Sequence, residues 1–193
     1  DELKSKTTLQ LLQERFAPYI GKRVSEIAKL VDIPVTKNKA FNANLISAVL
    51  GVKGTKLESL REFSKANIKF KTIRLEPTGI PKEHMSFEQI DFHRWVNDAW
   101  EDSQLYEKFE YTKYLFVVFQ YDETEKENKN REPYLKGIML WNMPEVVIEH
   151  ELKDLWKTTK AILEEGVQLT PVRNGVSNNL PGANFNGVCH IRP

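Results

Sequence analysis

Apolar and polar residues along the chain fall first into a helical period and then into alternation. From Ser5 to Ala17, Leu9, Leu11, Leu12 and Phe16 make a stripe whose spacing predicts a helix, with Pro18 as its stop. Gly21 separates a second, shorter helical run, Val24 to Leu30, and Ile33-Pro34-Val35 reads as a break. Lys39 to Leu50 returns to helix, with Gly51 as a C-cap candidate. The period then changes. In Asn67 to Leu75, Ile68, Phe70 and Thr72 alternate with Lys69, Lys71 and Ile73, which predicts a strand with both lysines on one face. Pro77 and Gly79 mark a turn, and Met85 to Ile90 reads as a second strand. Phe92, Trp95 and Val96 fit either a strand or a helix, and Gln104 to Phe109 predicts a short helix. Tyr114 to Tyr121 is the most apolar window and predicts a central strand, with Leu135 to Met143 returning beside it as a hairpin across the charged loop Glu123 to Glu132. Pro144 opens a long amphipathic helix carrying Val147, Ile148, Leu152, Leu155, Trp156 and Ile162 and ending at Gly166. Asn174 to Asn186, rich in Asn, Gly, Ser and Pro, predicts a loop, and Val188 to Ile191 the start of one more strand. This order predicts an α/β fold in which helices flank a mixed sheet.

Composition adds boundaries. A chain of 193 residues that is 40% hydrophobic and 10% aromatic can bury a core, and its length suits a single domain. The net charge of +1 conceals a basic band of Lys53, Lys56, Arg61, Lys65, Lys69, Lys71 and Arg74, opposed there only by Glu58 and Glu62. Acids collect in Asp122 to Glu127 and Glu145 to Asp154. Such a band suits a face turned toward a polyanion, or a solvated surface. The single cysteine, Cys189, excludes an internal disulfide and favours a reducing compartment. No apolar run approaches the roughly 18 residues of a membrane span and no secretory signal opens the chain, so a cytoplasmic protein without membrane contact is expected. The start at Asp1 and the stop after Ile191-Arg192-Pro193 suggest a piece of a longer polypeptide.

Most catalytic signatures are absent. There is no GxxxxGK[ST], GxGxxG or HExxH. His84, His93, His150 and His190 lack metal-ligand spacing with one another or with Cys189, and each reads as a surface or packing residue. Cys189, in an apolar alternation, reads as packed rather than reactive. Trp95, Trp100, Trp141 and Trp156 could stack on bases, but packing is the better reading. Arg192, after a flexible Asn-rich stretch and before Pro193, is placed to reach a groove and pair with guanine, or to be an ordinary exposed arginine.

Taken together, the helix ending at Gly51, Lys69-Phe70-Lys71, Leu135 to Met143, the Pro144 helix with Asp154 and Trp156, Gly166 and the closing Ile191-Arg192-Pro193 resemble the MutH-type restriction-endonuclease fold. The resemblance is specifically to the two-domain type II enzymes that cut at GATC. It implies a restriction-endonuclease-like mixed sheet flanked by helices. In that family a helix ending in Gly, matched here by Lys39 to Gly51, carries a Glu four residues before its glycine, where this chain has Ser47. A metal-binding Asp lies seven residues before a Glu-x-Lys, where this chain has Glu62 and then Lys69-Phe70-Lys71. A divalent cation needs acidic oxygens. The resemblance therefore implies a degenerate site at Ser47, Glu62, Lys69 and Lys71, with no catalytic or metal-binding residue.

The family's Ile-Arg-Pro opens the loop that reads GATC, so Arg192 and Pro193 are expected to contact DNA, together with Lys65, Lys69 and Lys71. The lysine that follows in the family, and its last strands, would lie beyond Pro193. The expectation is a single MutH-like pseudo-nuclease domain over residues 1–193, truncated at its C-terminal end. It would bind double-stranded DNA containing GATC and act as an effector on the catalytic domain of the same parent chain. Self-association on DNA is a further expected partner, and magnesium belongs to the catalytic domain rather than to this one. Two alternatives stand beside it: an active magnesium-dependent endonuclease remodelled around Glu62 and Lys71, and a dimerisation module without DNA affinity.

Overall fold

The computed structural model describes residues 7–38, 40–51 and 67–192. Glu62, Lys65 and Pro193, and the basic band before Asn67, lie outside the described residues. The chain divides into two compact units, one reaching to Ser86 with Lys113–Trp141, the other formed by Phe87–Thr112 and Asn142 onward.

The first unit begins with α1 (Thr8–Phe16), α2 (Val24–Leu30) and α3 (Phe41–Val49). Thr7 starts α1 with a reciprocal cap: its hydroxyl accepts from Gln10 N–H at 3.2 Å while the Gln10 side chain accepts from Thr7 N–H at 2.8 Å. Gly51, at φ 76°, ends the third helix as the sequence predicts, and Arg15 Nη1 donates to the adjacent Leu50 carbonyl at 3.0 Å. The sheet of this unit has the order β1 (Ile68–Leu75), β2 (Lys113–Gln120), β3 (Tyr134–Trp141), with β1 parallel and β3 antiparallel to the central β2. A bulge falls where Val118 pairs with Gly137 and Phe119 with Leu135.

Alternation decides what each face does. Ile68, Phe70, Leu115, Val117, Phe119, Leu135, Ile138 and Leu140 pack with Leu12, Phe16, Ile27, Leu45 and Ile46 of the helices in one core. Leu115 and Val117 are completely buried. Each such side chain contributes about 1.5–3 kcal/mol of transfer free energy. The turn after β1 forms as predicted at Pro77–Gly79, with Gly79 at φ 83° and its N–H donating to the Glu76 carbonyl at 2.8 Å.

The loop between β2 and β3 is fastened at both ends. The Arg131 side chain is only 4% exposed, forms two bonds to the Glu76 carboxylate and lies 4.1 Å from the Tyr121 ring. Arg23 donates to Asp122 through both terminal guanidinium nitrogens, Nη1 and Nη2, and Ser25 Oγ donates to Glu132 at 2.9 Å.

The second unit holds α4 (Phe92–Asn97) and α5 (Gln104–Glu110), capped by Asp91 and Ser103 respectively. The long helix expected from Pro144 is present in three parts: a turn at Glu145–Val147, a π-turn at Ile148–Leu152, and α6 (Lys153–Glu165). Trp95, Trp100 and Trp156 are buried here; Trp95 Nε1 donates to the Trp156 carbonyl at 3.1 Å, and the Trp100 and Trp156 rings lie 5.7 Å apart.

Three local expectations fail. Residues 85–90 form no strand: backbone pairing along β1 stops upstream of them, at the bridge between Leu75 and Pro81 and the bond from Lys82 N–H to the Arg74 carbonyl. Residues 188–191 form no strand either. The region read as loop from Asn174 to Asn186 contains a strand, β5 (Gly175–Asn178), which pairs around Arg173-Asn174 with β4 (Leu169–Val172) just before it. None of the helices among the described residues is long and apolar enough to cross a membrane.

Candidate nucleic-acid interface

Strand β1 places Lys69 and Lys71 on the same side of the sheet, because their register partners in the parallel neighbour are Tyr114 and Phe116, which point away from the helical core. Asn67, in the left-handed region at φ 46°, leads into the strand, and its carbonyl accepts from Lys113 N–H at 3.0 Å. Behind the lysines the face is aromatic: Tyr114 and Phe116 are stacked with centroids 6.1 Å apart, and Phe116 lies 5.3 Å from Trp141. Two lysines are thus mounted on a ladder whose neighbouring strand carries aromatic rings at the paired positions. Arg74, of the same basic run, alternates to the other face, where it pairs with Glu83. Partial burial works against its charge, but the hydrogen bond and the charge of Glu83 outweigh that and hold the guanidinium above its ordinary value.

The outer edge of β1 is followed by residues 81–86. Lys82 N–H donates to the Arg74 carbonyl at 2.8 Å, and Lys71 Nζ donates to the Ser86 carbonyl at 2.7 Å. A cleft of about 450 Å³ opens between them, lined by Lys71, Arg74, Glu83, His84 and Ser86 among others. Sequence reasoning missed this segment as part of the site. The turn at Pro77 and Gly79 was the available signal, since it returns the chain along the strand it has just left.

Ser47 is in α3 and 8% exposed. Of the four expected site residues, Ser47, Lys69 and Lys71 offer one hydroxyl and two ammonium groups and no carboxylate of the kind magnesium commonly takes, and the fourth, Glu62, lies outside the described residues. No group of three His, Cys, Asp or Glu among the described residues is arranged to hold a metal ion.

Arg192 is exposed, next to buried Ile191 in the second unit. Cys189 lies close by. Burial pushes its thiol up to about 11 despite the hydrogen bond of Asn186, so this half-buried cysteine stays protonated near neutral pH. Near it, a cleft of about 360 Å³ is bordered by Glu151, Asp154, Lys157 and Asn186. His84, His93 and His150 are exposed and His190 is half-buried.

The three-stranded mixed sheet flanked by helices is the arrangement expected of a restriction-endonuclease-like domain. The pattern of the family described as DNA mismatch repair enzyme MutH matches residues 54–154, more than half of the chain, and this chain belongs to the MutH family. It is also 30% identical, over 210 aligned residues, to the type II restriction enzyme Sau3AI of Staphylococcus aureus. That alignment covers all of this chain and 42% of the enzyme, so the chain spans well under half the length of this relative.

Proposed function

We propose that this chain is the DNA-binding effector domain of a type II restriction enzyme that recognises GATC, and that its own metal site has been lost. The observation that carries the reading is Lys69 beside Lys71 on one face of β1, at the place where the resemblance expects Glu-x-Lys. A carboxylate there would recruit a divalent cation to the phosphate. A lysine supplies a fixed positive charge directly, and neutralising a phosphate this way releases counterions from the duplex. Lys65, Arg192 and Pro193 complete the proposed contacts, with Arg192 reading a guanine edge by paired N–H donors.

The effector role follows from linkage. If DNA binds the activated arrangement of the parent enzyme more tightly than the resting one, occupancy of this domain shifts the parent toward cleavage at its catalytic domain, where magnesium acts. Cytoplasmic location and self-association on DNA accompany this reading.

A salt titration of duplex binding tests it. Affinity is expected to fall steeply with added salt, and no nick should appear when the chain is incubated with GATC duplex and magnesium. A salt-insensitive interaction, or specific nicks lost in Glu62→Ala, would reject the assignment in favour of a protein-docking module or an active nuclease respectively.

A further inference from the structure

The segment that carries Arg192 has no ladder to hold it. Between Asn179 and Arg192 the backbone forms neither strand nor helix, yet Ile191 is only 6% exposed and its neighbour Arg192 faces solvent. Such a placement depends on a few specific bonds. One is backbone to backbone, from Ile191 N–H to the Pro181 carbonyl at 2.9 Å.

Asn186 makes three others. Its Oδ1 accepts from Val188 N–H at 3.0 Å and from Cys189 N–H at 3.2 Å, while its Nδ2 donates to the Glu151 carbonyl at 2.9 Å. Gly187, at φ 74°, supplies the left-handed step that lets the two following N–H groups converge on one oxygen. The acceptor on the other side lies within the π-turn Ile148–Leu152, where Lys153 N–H reaches back to the Ile148 carbonyl and the regular α-helical pairing is interrupted. One amide therefore joins a helix irregularity to the Arg192 segment across 35 residues of sequence. Its two ends require opposite chemistry, an acceptor toward the loop and a donor toward the helix, which a carboxylate or an aliphatic side chain cannot supply together.

We propose that Asn186 is a positioning residue for sequence reading: it clips the Arg192 segment to the π-turn, so that the guanidinium meets a base edge in one orientation. The proposal rests on the DNA-reading role given to Arg192 above. Asn186 itself touches no DNA, so the clip governs discrimination between sequences and leaves the phosphate contacts on β1 unchanged. Bidentate pairing with guanine tolerates little angular error, because both N–H donors must align at once.

The test is equilibrium binding of the whole chain to a GATC duplex and to a scrambled duplex at one salt concentration. Four proteins are compared: wild type, Asn186→Ala, Arg192→Ala and the double variant. Asn186→Ala is expected to lower the preference for GATC by about tenfold, while its affinity for the scrambled duplex and its Tm stay near wild type. The double variant should be no worse than Arg192→Ala alone, because both changes remove the same interaction. Unchanged preference in Asn186→Ala, or a loss that adds to that of Arg192→Ala, overturns the clip. Absence of GATC preference in the wild type, with Arg192→Ala indistinguishable from it, overturns the DNA-reading role and the clip with it. Should Asn186→Ala fold poorly, Asn186→Asp carries the same comparison, since it keeps the loop-side acceptor and loses only the donor to Glu151.

Discussion

The two regions proposed to meet DNA are built in opposite ways. Lys69 and Lys71 ride on a strand paired along its whole length with β2, and their shared face is fixed by the ladder. Arg192 rides on an irregular segment fixed by the side chain of Asn186 and one backbone bond from Ile191. The difference separates two tasks. A phosphate accepts a positive charge from many directions and needs only a charge held near it, whereas a base edge accepts a planar fork from few directions. The ladder is suited to charge neutralisation that ignores sequence, and the clipped segment to reading it.

The largest expected effect is on the strand. Lys69→Ala with Lys71→Ala should weaken binding to GATC and scrambled duplexes alike and reduce the slope of log affinity against log salt by about 2, one unit per phosphate contact. An unchanged slope would remove β1 from the interface. Next comes the loop. Arg192→Ala should erase about 1–3 kcal/mol of preference for GATC and leave the salt slope nearly intact. An equal loss on both duplexes would make Arg192 a backbone contact and collapse the distinction between the two regions.

A smaller effect concerns the support of the sheet. The hydrogen bond from Arg131, followed by its charge, holds the Glu76 carboxyl below its ordinary value, and Arg23 does the same for Asp122. A carboxyl depressed on folding contributes stability above its unfolded value and loses it as pH falls through the folded one. Acid unfolding should therefore steepen below the ordinary carboxylate range, and Arg131→Met should flatten that limb in a pH series of thermal melts. The smallest effect is at Cys189. With its thiol pushed up to about 11, alkylation near neutral pH should run about a hundredfold slower than for an unburied cysteine. Rapid labelling would show that the Arg192 segment opens readily.

Much of the first unit was legible in the sequence because its signals are local. The alternation of Asn67 to Leu75 predicted a strand with Lys69 and Lys71 on one face, and the apolar run at Tyr114 predicted the central strand. Both follow from a period of two and from the need to cover one face. The second unit was harder to read. Val188 to Ile191 alternates like a strand, but three of its four N–H groups are committed elsewhere, those of Val188 and Cys189 to Asn186 and that of Ile191 to Pro181. Asn174-Gly175 between Val172 and Val176 is a hairpin signal, but it stands at the head of the turn-rich run to Asn186 that predicted a loop. That hairpin leaves Leu169 at 69% and Val176 at 63% exposure, so no burial pattern announces it. Asn186 could not have been found from its neighbours, since its partner at Glu151 is brought near only by the tertiary fold.

The claim on which the rest depends is that lysines have taken over the work of a metal ion. Equilibrium binding of a GATC duplex in excess EDTA, compared with the same titration in magnesium at matched ionic strength, tests it directly. Equal affinity in both is the expected result. Binding that appears only with magnesium would contradict it.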